Sequence, residues 1–432
     1  MTLKFLAIGD VHLGRPVARI PPWLEEMGVS RQQLGPAEAL KRAVDRALSG
    51  SVDAVLFAGD LVDSDNAYFE GYRVLADSVK RLTDANIDVI GVAGNHDYIT
   101  LARLAGEVPG FTLLGRDGTW ETHEIVREEQ VLGRIVGWSF PKSHVFHNPL
   151  ETLVEPEGGP GWIGLLHADL TGSDQGYAPI SRSDLERTTA AAWLLGHIHI
   201  PDLRELSTER PIGYLGSLSG LSPKETGWRG AWEVEDRSGS VRVHPVDLAP
   251  LLWEKRDLSL EDMSKGESVR GKILDLLRTV REESLRREGE ILAVGLRVRL
   301  QGRTERRAEV LELFHNMDWQ GEGLPHSVPL VFLENMIDET RPCLDLNELS
   351  GGDDPVAVLA GYLNSLEAGP GSTDWDILAE RGRNRFVEVS RRPTWSRLES
   401  VPLDSEFVAE VMKSGGWRLI ERMLGPKCED EL

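Results

Sequence analysis

A set of histidine, aspartate and asparagine residues in this 432-residue chain recurs at the ends of apolar runs, with types and spacing suited to metal-dependent hydrolysis. "GDVHLG" carries Asp10 and His12, two residues apart, so both can point to one side of an extended segment. "GDLVD" carries Asp60, and "GNHD" carries Asn95, His96 and Asp97. "LLHAD" carries His167, and "GHIH" carries His197 and His199. Polar side chains at the end of a buried strand are costly unless something binds them. Imidazole, carboxylate and amide groups are nitrogen and oxygen donors, suited to divalent ions such as manganese, iron or zinc. A lone Asp-x-His or His-x-His pair is ordinary loop chemistry. Five such pieces in order, each behind an apolar strand, point to one metal centre.

The elements that must position these residues are legible as an α/β alternation up to about residue 250. Strands are expected at "LKFLAIGD", "DAVLFAGD", "IDVIGVAG", "RIVGWSF", "WIGLLHAD" and "WLLGHIHI", followed by the polar strands "GAWEVED" and "SVRVHPVDL". In such sheets ligands bind outside the carboxyl ends of the strands, so the loops carrying the donors should converge. Glycines at positions 9, 59, 94 and 196 would let the backbone turn or approach a bound ion closely. Between the second and third strands, helical spacing places Phe69, Tyr72, Leu75, Val79 and Leu82 on one side of a helix.

Beyond "LAPLLWEKRDLSL" a smaller unit is expected over residues 251–340: a helix from Asp262 to Arg286, a strand at "ILAVGLRVRL", a helix from Arg306 to His315 and a strand at "VPLVFLENMID". This βαβ-like module contains nine arginines against five glutamates between Arg278 and Arg307, which read alone is a solvated face, with nucleic-acid backbone contact as the alternative. Residues 341–432 hold two amphipathic helical stretches. "DDPVAVLAGYLNSLEA" has an Asp N-cap and an early proline, with Val358, Leu359, Tyr362, Leu363 and Leu366 at helical spacing. "LDSEFVAEVMKSGGWRLIERMLG" is expected to be split at Gly415-Gly416.

Composition is that of a globular chain, 41% hydrophobic and 27% charged, and no run reaches the roughly 20 apolar residues of a membrane helix. With only Cys343 and Cys428, neither a disulfide framework nor a thiolate metal site is expected. The N-terminus enters a strand at once without a signal-peptide pattern, so a cytoplasmic location is expected. A formal charge of −22 argues against a free-standing nonspecific DNA binder, because phosphate contacts supply most of that affinity. His144 and His147, in "FPKSHVFHNP", read as surface residues or as a wall of the substrate groove, and Trp228 and Arg229 read as local packing.

The ordered set resembles the calcineurin-like metallophosphoesterase superfamily, whose motifs cover residues 9–199. Within it, "DVHLG", "GDLVD" without a following Arg-Gly, and "GNHD" rather than "GNHE" are more similar to SbcD-type DNA double-strand-break repair exonucleases than to protein phosphatases. "YLGSLSGLSPKETGWRGAWEVE", the βαβ-like module and the length fit the same group. The resemblance implies a metallophosphoesterase-type β-sandwich flanked by helices (residues 1–250), a smaller α+β capping domain that chooses DNA ends (251–340) and a helical C-terminal region (341–432). It implies two divalent ions, most often manganese, with magnesium, iron or zinc as alternatives. Asp10, His12 and His199 would hold one ion, Asn95, His167 and His197 the other, and Asp60 would bridge them. His96 would be a non-ligand that faces the phosphate and assists the leaving oxygen, a role suited to its pKa. Asp97 would orient the His96 ring or, as the favoured reading, cap the following helix or make a structural bond.

The activity so implied is a DNA nuclease with 3′-to-5′ exonuclease and single-strand endonuclease action, working with an SMC-like coiled-coil ATPase of the SbcC type that the tail helices would dock on. A homodimer through helices of the nuclease domain is also implied, with the segment Arg15–Leu34 placed to alter that contact. The same metal site would serve a phosphodiesterase acting on a small nucleotide, because fold and site do not fix the substrate. The long chain beyond residue 250 counts against that second reading. Seven intact ligand positions and His96 count against a decayed, non-enzymatic scaffold.

Overall fold

The computed structural model of the chain describes residues 2–64, 68–159, 161–172, 176–203, 210–261, 263, 266–316, 319, 322–390 and 404–424. Its first half runs β1 (Thr2–Ile8), α1 (Trp23–Glu26), α2 (Pro36–Gly50), β2 (Ala54–Ala58), α3 (Tyr68–Thr83), β3 (Asp88–Val92), α4 (Tyr98–Glu107) and β4 (Phe111–Leu113). There follow β5 (Trp120–Arg127), β6 (Gln130–Trp138), β7 (Trp162–His167), α5 (Arg182–Arg187), β8 (Ala192–Gly196), β9 (Ile212–Tyr214), β10 (Gly230–Arg237) and β11 (Ser240–Asp247). The remainder is β12 (Leu251–Ser259), α6 (Val269–Leu285), β13 (Ala293–Thr304), α7 (Arg307–Asn316), β14 (Gly323–Leu324), β15 (Leu330–Pro342), α8 (Leu346–Leu349), α9 (Pro355–Glu367), α10 (Thr373–Ser390) and α11 (Ser405–Leu424).

Two compact units result: Met1–Arg256 with Leu274–Val298 and Asp318–Asn335, and Asp257–Ile273 with Arg299–Met317 and Met336–Leu432. In the larger unit, a six-stranded sheet of order β11-β10-β1-β2-β3-β4 faces a five-stranded sheet of order β5-β6-β7-β8-β9. Strands β1 to β4 are mutually parallel, and so are β6 to β9. Alternation along β1 divides two cores. Leu3, Phe5 and Ala7 join Ile135, Ile163 and Leu165 between the sheets, while Leu6 and Ile8 pack under α2, α3 and α4. Because both faces are covered, β2 reads "AVLFA" without a polar interruption and is buried throughout. This is the expected α/β sandwich flanked by helices, with an α-helical C-terminal region.

Several local expectations need correction. Helix α3 forms, but its buried stripe is Tyr68, Gly71, Leu75, Ser78, Val79 and Leu82. Phe69 is 80% exposed and Tyr72 38%, because each lies about a turn's fraction off that stripe. The helix expected from Asp262 begins at Val269. The Gly415-Gly416 pair does not split the last helix: α11 runs through it, and Gly416 sits so close to Leu363 of α9 that a Cβ there would lie 2.7 Å from the leucine methyl. Helix α10, unforeseen in the sequence, supplies Trp375 and Ala379 to the cluster with Leu366 and Ala409. The N-cap expected on α9 is present, with the Asp354 carboxylate accepting from the Ala357 N–H. The segment Arg15–Leu34 folds onto its own unit, where Val17, Ile20, Leu24, Val29 and Leu34 pack with Leu251, Trp253, Leu330 and Phe332. No described helix is long and apolar enough to cross a membrane.

Candidate metal centre

Parallel strands end at one edge, and the donors cluster there. Asp10 and His12 follow β1, Asp60 follows β2, Asn95 to Asp97 follow β3, His167 closes β7, and His197 and His199 follow β8. Donor atoms of Asp10, His12 and His199 lie within 4.8 Å of one another, and so do those of Asp10, Asp60 and His167. Asp60 Oδ2 is 3.5 Å from His167 Nε2 and 3.9 Å from His12 Nε2, which places it between the two histidines. Asn95 Oδ1 is 3.1 Å from His167 Nε2, and the His197 ring lies 5.3 Å from that of His167. All seven expected ligand positions are therefore brought together.

The loops hold these residues in costly backbone. Asp10, His12, Asp60 and His197 have φ of 30°, 53°, 48° and 104°, a region non-glycine residues rarely enter, at roughly 1–3 kcal/mol each. Hydrogen bonds within the site over-determine these conformations. His12 N–H donates to Asp60 O at 2.9 Å, His197 N–H to Asp10 Oδ1 at 3.0 Å, and His96 N–H to Asp60 Oδ1 at 3.0 Å. Gly94 shows how tightly the loops approach: a Cβ there would fall onto the Asp60 carboxylate.

The imidazole tautomers follow from the partners of each ring. His167 Nδ1 is 3.0 Å from Ala58 O, a carbonyl that only accepts, so Nδ1 carries the proton and Nε2 is a bare lone pair. That lone pair faces the Asp60 carboxylate and the Asn95 amide oxygen, three acceptors turned on one another. His12 Nδ1 meets Asp63 Oδ1 at 3.1 Å and His199 Nδ1 meets Glu225 Oε1 at 3.2 Å. Their Nε2 atoms then point at each other across 3.1 Å. Metal-ligating histidines usually carry such outer carboxylate or carbonyl partners, which fix the ring and the tautomer. Convergent nitrogen and oxygen acceptors of this kind fit divalent cations. Asp10, His12, His199, Asp60, Asn95, His167 and His197 are the residues that would hold them.

Charge tells the same story. Burial pushes His167 down to about 4 and lowers His197; it lowers His12 too, against the pull of Asp63, and so favours the neutral ring at all three. Burial also pushes Asp10 up to about 8, the mark of a carboxylate without sufficient countercharge. For His199 burial works downward, but Glu225 and Asp10 outweigh it and raise its pKa. For Asp60 burial works upward, and its histidine neighbours His167, His12 and His96 work downward and outweigh it.

His96 lies beside the expected ligands: a ring nitrogen of His96, one of His12 and an Asp63 carboxylate oxygen fall within 4.8 Å of one another. His96 is exposed at the mouth of a cavity of about 410 Å³ shared with Asp60, Asn95, Asp169, Tyr177, His197 and His199, and its Nδ1 lies 3.1 Å from the Asp63 carbonyl. Asp97 does not orient that ring, and although it occupies the N-cap position of α4 its side chain makes no capping bond. Its carboxylate instead accepts from the N–H groups of Leu61, Val62 and Gly94 at 2.7, 3.2 and 2.8 Å, tying the β2 and β3 loops together. Asp63 and Glu225 were assigned no role from sequence. Asp63 lies inside "GDLVD", where a signal was available; Glu225 lies far from His199 in the chain and had none. Arg229 is buried and Trp228 packs on Trp232 at 5.0 Å, as expected for local packing.

Comparison with known proteins agrees with this geometry. Over 284 residues the chain is 27% identical to an uncharacterized metallophosphoesterase, YhaO, of Bacillus subtilis, covering 65% of this chain and 69% of that one. It is 26% identical over 306 residues to the DNA double-strand break repair protein Mre11 of Haloferax volcanii, covering 66% of this chain and 62% of the relative. It is 30% identical over 253 residues to the Mre11 of Aeropyrum pernix, covering 56% and 59%. The chain thus spans about three fifths of the length of these two repair proteins. Residues 3–201 match the calcineurin-like phosphoesterase family, and this matched region carries the features of a metal-dependent phosphoester hydrolase.

Proposed function

We propose that the chain is a two-metal DNA nuclease of the SbcD type, a 3′-to-5′ exonuclease and single-strand endonuclease that processes DNA ends. The observation that carries the reading is the likeness to Mre11 proteins across 56–66% of the chain, well past the segment the family itself accounts for. Divalent ions at the centre, manganese by preference, supply Lewis acidity at a phosphoryl oxygen and a hydrolytic nucleophile near neutral pH. The chain's own residues do the rest. Asp63 and Glu225 fix the His12 and His199 rings. Because the Asp63 carbonyl accepts a hydrogen bond from His96 Nδ1–H, Nε2 is left to give a proton to the leaving oxygen when the ring is charged.

Two exposed apolar faces support the assembly part of the proposal. Phe69, Tyr72 and Ile99 on α3 and α4 suit a homodimer contact. Val358, Tyr362, Val411 and Leu419 on α9 and α11 suit docking on an SMC-like ATPase of the SbcC type. The region 251–340 would cap the site and choose DNA ends.

A second reading, phosphodiesterase action on a small nucleotide, is favoured by one observation. The arginines between Arg278 and Arg307 are largely paired with carboxylates, leaving little free positive charge for a DNA backbone. End-labelled duplex and single-stranded DNA and a cyclic nucleotide, each incubated with manganese, magnesium or chelator, separate the two. Metal-dependent shortening of DNA that disappears in His96→Asn is expected. Intact DNA beside efficient turnover of the cyclic nucleotide would sink the nuclease.

A further inference from the structure

From the outer wall of the cavity we infer that His144 and Phe146 form a nucleobase-stacking platform, which holds a base of the substrate beside the hydrolysed phosphodiester. The inference rests on the nuclease reading and names how a polynucleotide is held at that site. It starts from a line of rings leading out of the metal centre. The His197 ring lies 4.9 Å from that of Tyr177, with 39° between their planes. Tyr177 lies 5.8 Å from His144 at 30°, and His144 stacks on Phe146 at 6.3 Å and 16°. Tyr177 lines the cavity, while His144 is exposed and Phe146 is 66% exposed.

The local sequence fixes these two rings in place. Val145 is fully buried and bridges the neighbouring segment, its N–H donating to Gly176 O at 2.7 Å and its carbonyl accepting from Ala178 N–H at 2.9 Å. In extended backbone the neighbours of a buried residue face the other way, so His144 and Phe146 emerge on one side and meet. Gly176 leaves room for them: a Cβ there would sit 2.7 Å from a Phe146 ring carbon. His144 and Phe146 together present two near-parallel rings, linked through Tyr177 to the polar cavity. Bases stack on aromatic side chains whatever their identity, which suits a nuclease without sequence preference. Stacking also gives a chain of charge −22 a grip that does not depend on the phosphates.

The test is steady-state cleavage of a single-stranded oligonucleotide with manganese by the wild type, Phe146→Ala and Phe146→Trp. A parallel series carries one abasic residue, moved in turn through the positions beside the cleaved bond. Phe146→Ala is expected to raise KM about tenfold with a smaller effect on kcat, and Phe146→Trp to restore it. At one abasic position the wild type should lose as much, and Phe146→Ala should add nothing there. If the wild type cleaves the intact oligonucleotide and Phe146→Ala leaves KM unchanged, the platform is overturned and the nuclease reading stands. If the alanine penalty persists at every abasic position, or tryptophan fails to rescue, the ring acts only through loop packing and the platform is again overturned. A wild type that hydrolyses a cyclic nucleotide but no oligonucleotide overturns both.

Discussion

The strand-end centre and the arginine stretch from Arg278 to Arg307 are both dense in charge, and they treat it in opposite ways. At the centre, imidazoles and carboxylates converge on one another, as at His12 with His199 across 3.1 Å and His167 with Asp60 across 3.5 Å. In the arginine stretch, guanidinium groups meet acids. Arg287 pairs with Glu254, Arg297 with Glu334, Arg299 with Asp257, Arg303 with Glu367, and Arg307 with Asp338 and Glu421. Buried convergence of acceptors is costly unless a cation binds them, whereas complementary pairing is complete as it stands. Charge density alone therefore did not identify the site; unsatisfied charge did.

The sharpest way to divide the centre itself is His96→Asn. If His96 acts on the phosphate and does not hold an ion, its loss should lower turnover of a phosphodiester about 10²- to 10⁴-fold. Thermal stabilisation by added manganese should survive. A variant that loses that stabilisation would make His96 a ligand and erase the distinction. Next in size is the outer carboxylate. Glu225→Ala frees the His199 ring and should weaken manganese binding about 10- to 100-fold by titration calorimetry, with Asp63→Ala doing the same through His12. Unchanged affinity in both would show that the rings need no buttress.

The arginine stretch should answer in a different currency. Arg307 spans Asp338, Thr340 and Glu421 with side chains only 14–19% exposed, so Arg307→Ala strands two carboxylates. Incomplete burial reduces the cost below that of a fully buried pair, to about 2 kcal/mol in urea denaturation. Manganese affinity and turnover should not move. A loss of turnover without a loss of stability would mean that this arginine serves substrate after all.

Much of this contrast was legible in sequence, because short-range rules set it. Buried parallel strands write themselves as unbroken apolar runs, and the donors stand directly behind them, so "GDVH", "GNHD" and "GHIH" announced both strands and site. What escaped depended on partners distant in the chain. Glu225 reaches His199 only because the loop after β9 folds back, and no spacing rule encodes that. The Asp97 carboxylate looked like a helix cap because its position is one; that three N–H groups of neighbouring loops claim it is a tertiary fact. Gly415-Gly416 looked like a breaker because intrinsic propensity disfavours glycine, and the close approach to Leu363 overrides that preference. Phe69 and Tyr72 were misplaced by the width of a stripe, which periodicity locates only to within a residue.

The smallest expected effect gives the comparison its baseline. Arg278 pairs with Asp275 one turn earlier on α6, and the two side chains are 56% and 72% exposed. Water already solvates both ions there, and ordering two mobile side chains offsets most of the attraction, so Arg278→Ala should change stability by no more than about 0.5 kcal/mol. Turnover of DNA should also stay at the wild-type level if the stretch is structural. Arg278 is the informative position because its pairing is weak enough for a phosphate to displace the aspartate, which Arg307 could not allow. A rise in KM for DNA in this variant, growing as salt is lowered, would mean that exposed members of the stretch do contact the backbone. The division would then run within the stretch, between its exposed and its buried arginines, instead of between the stretch and the metal centre.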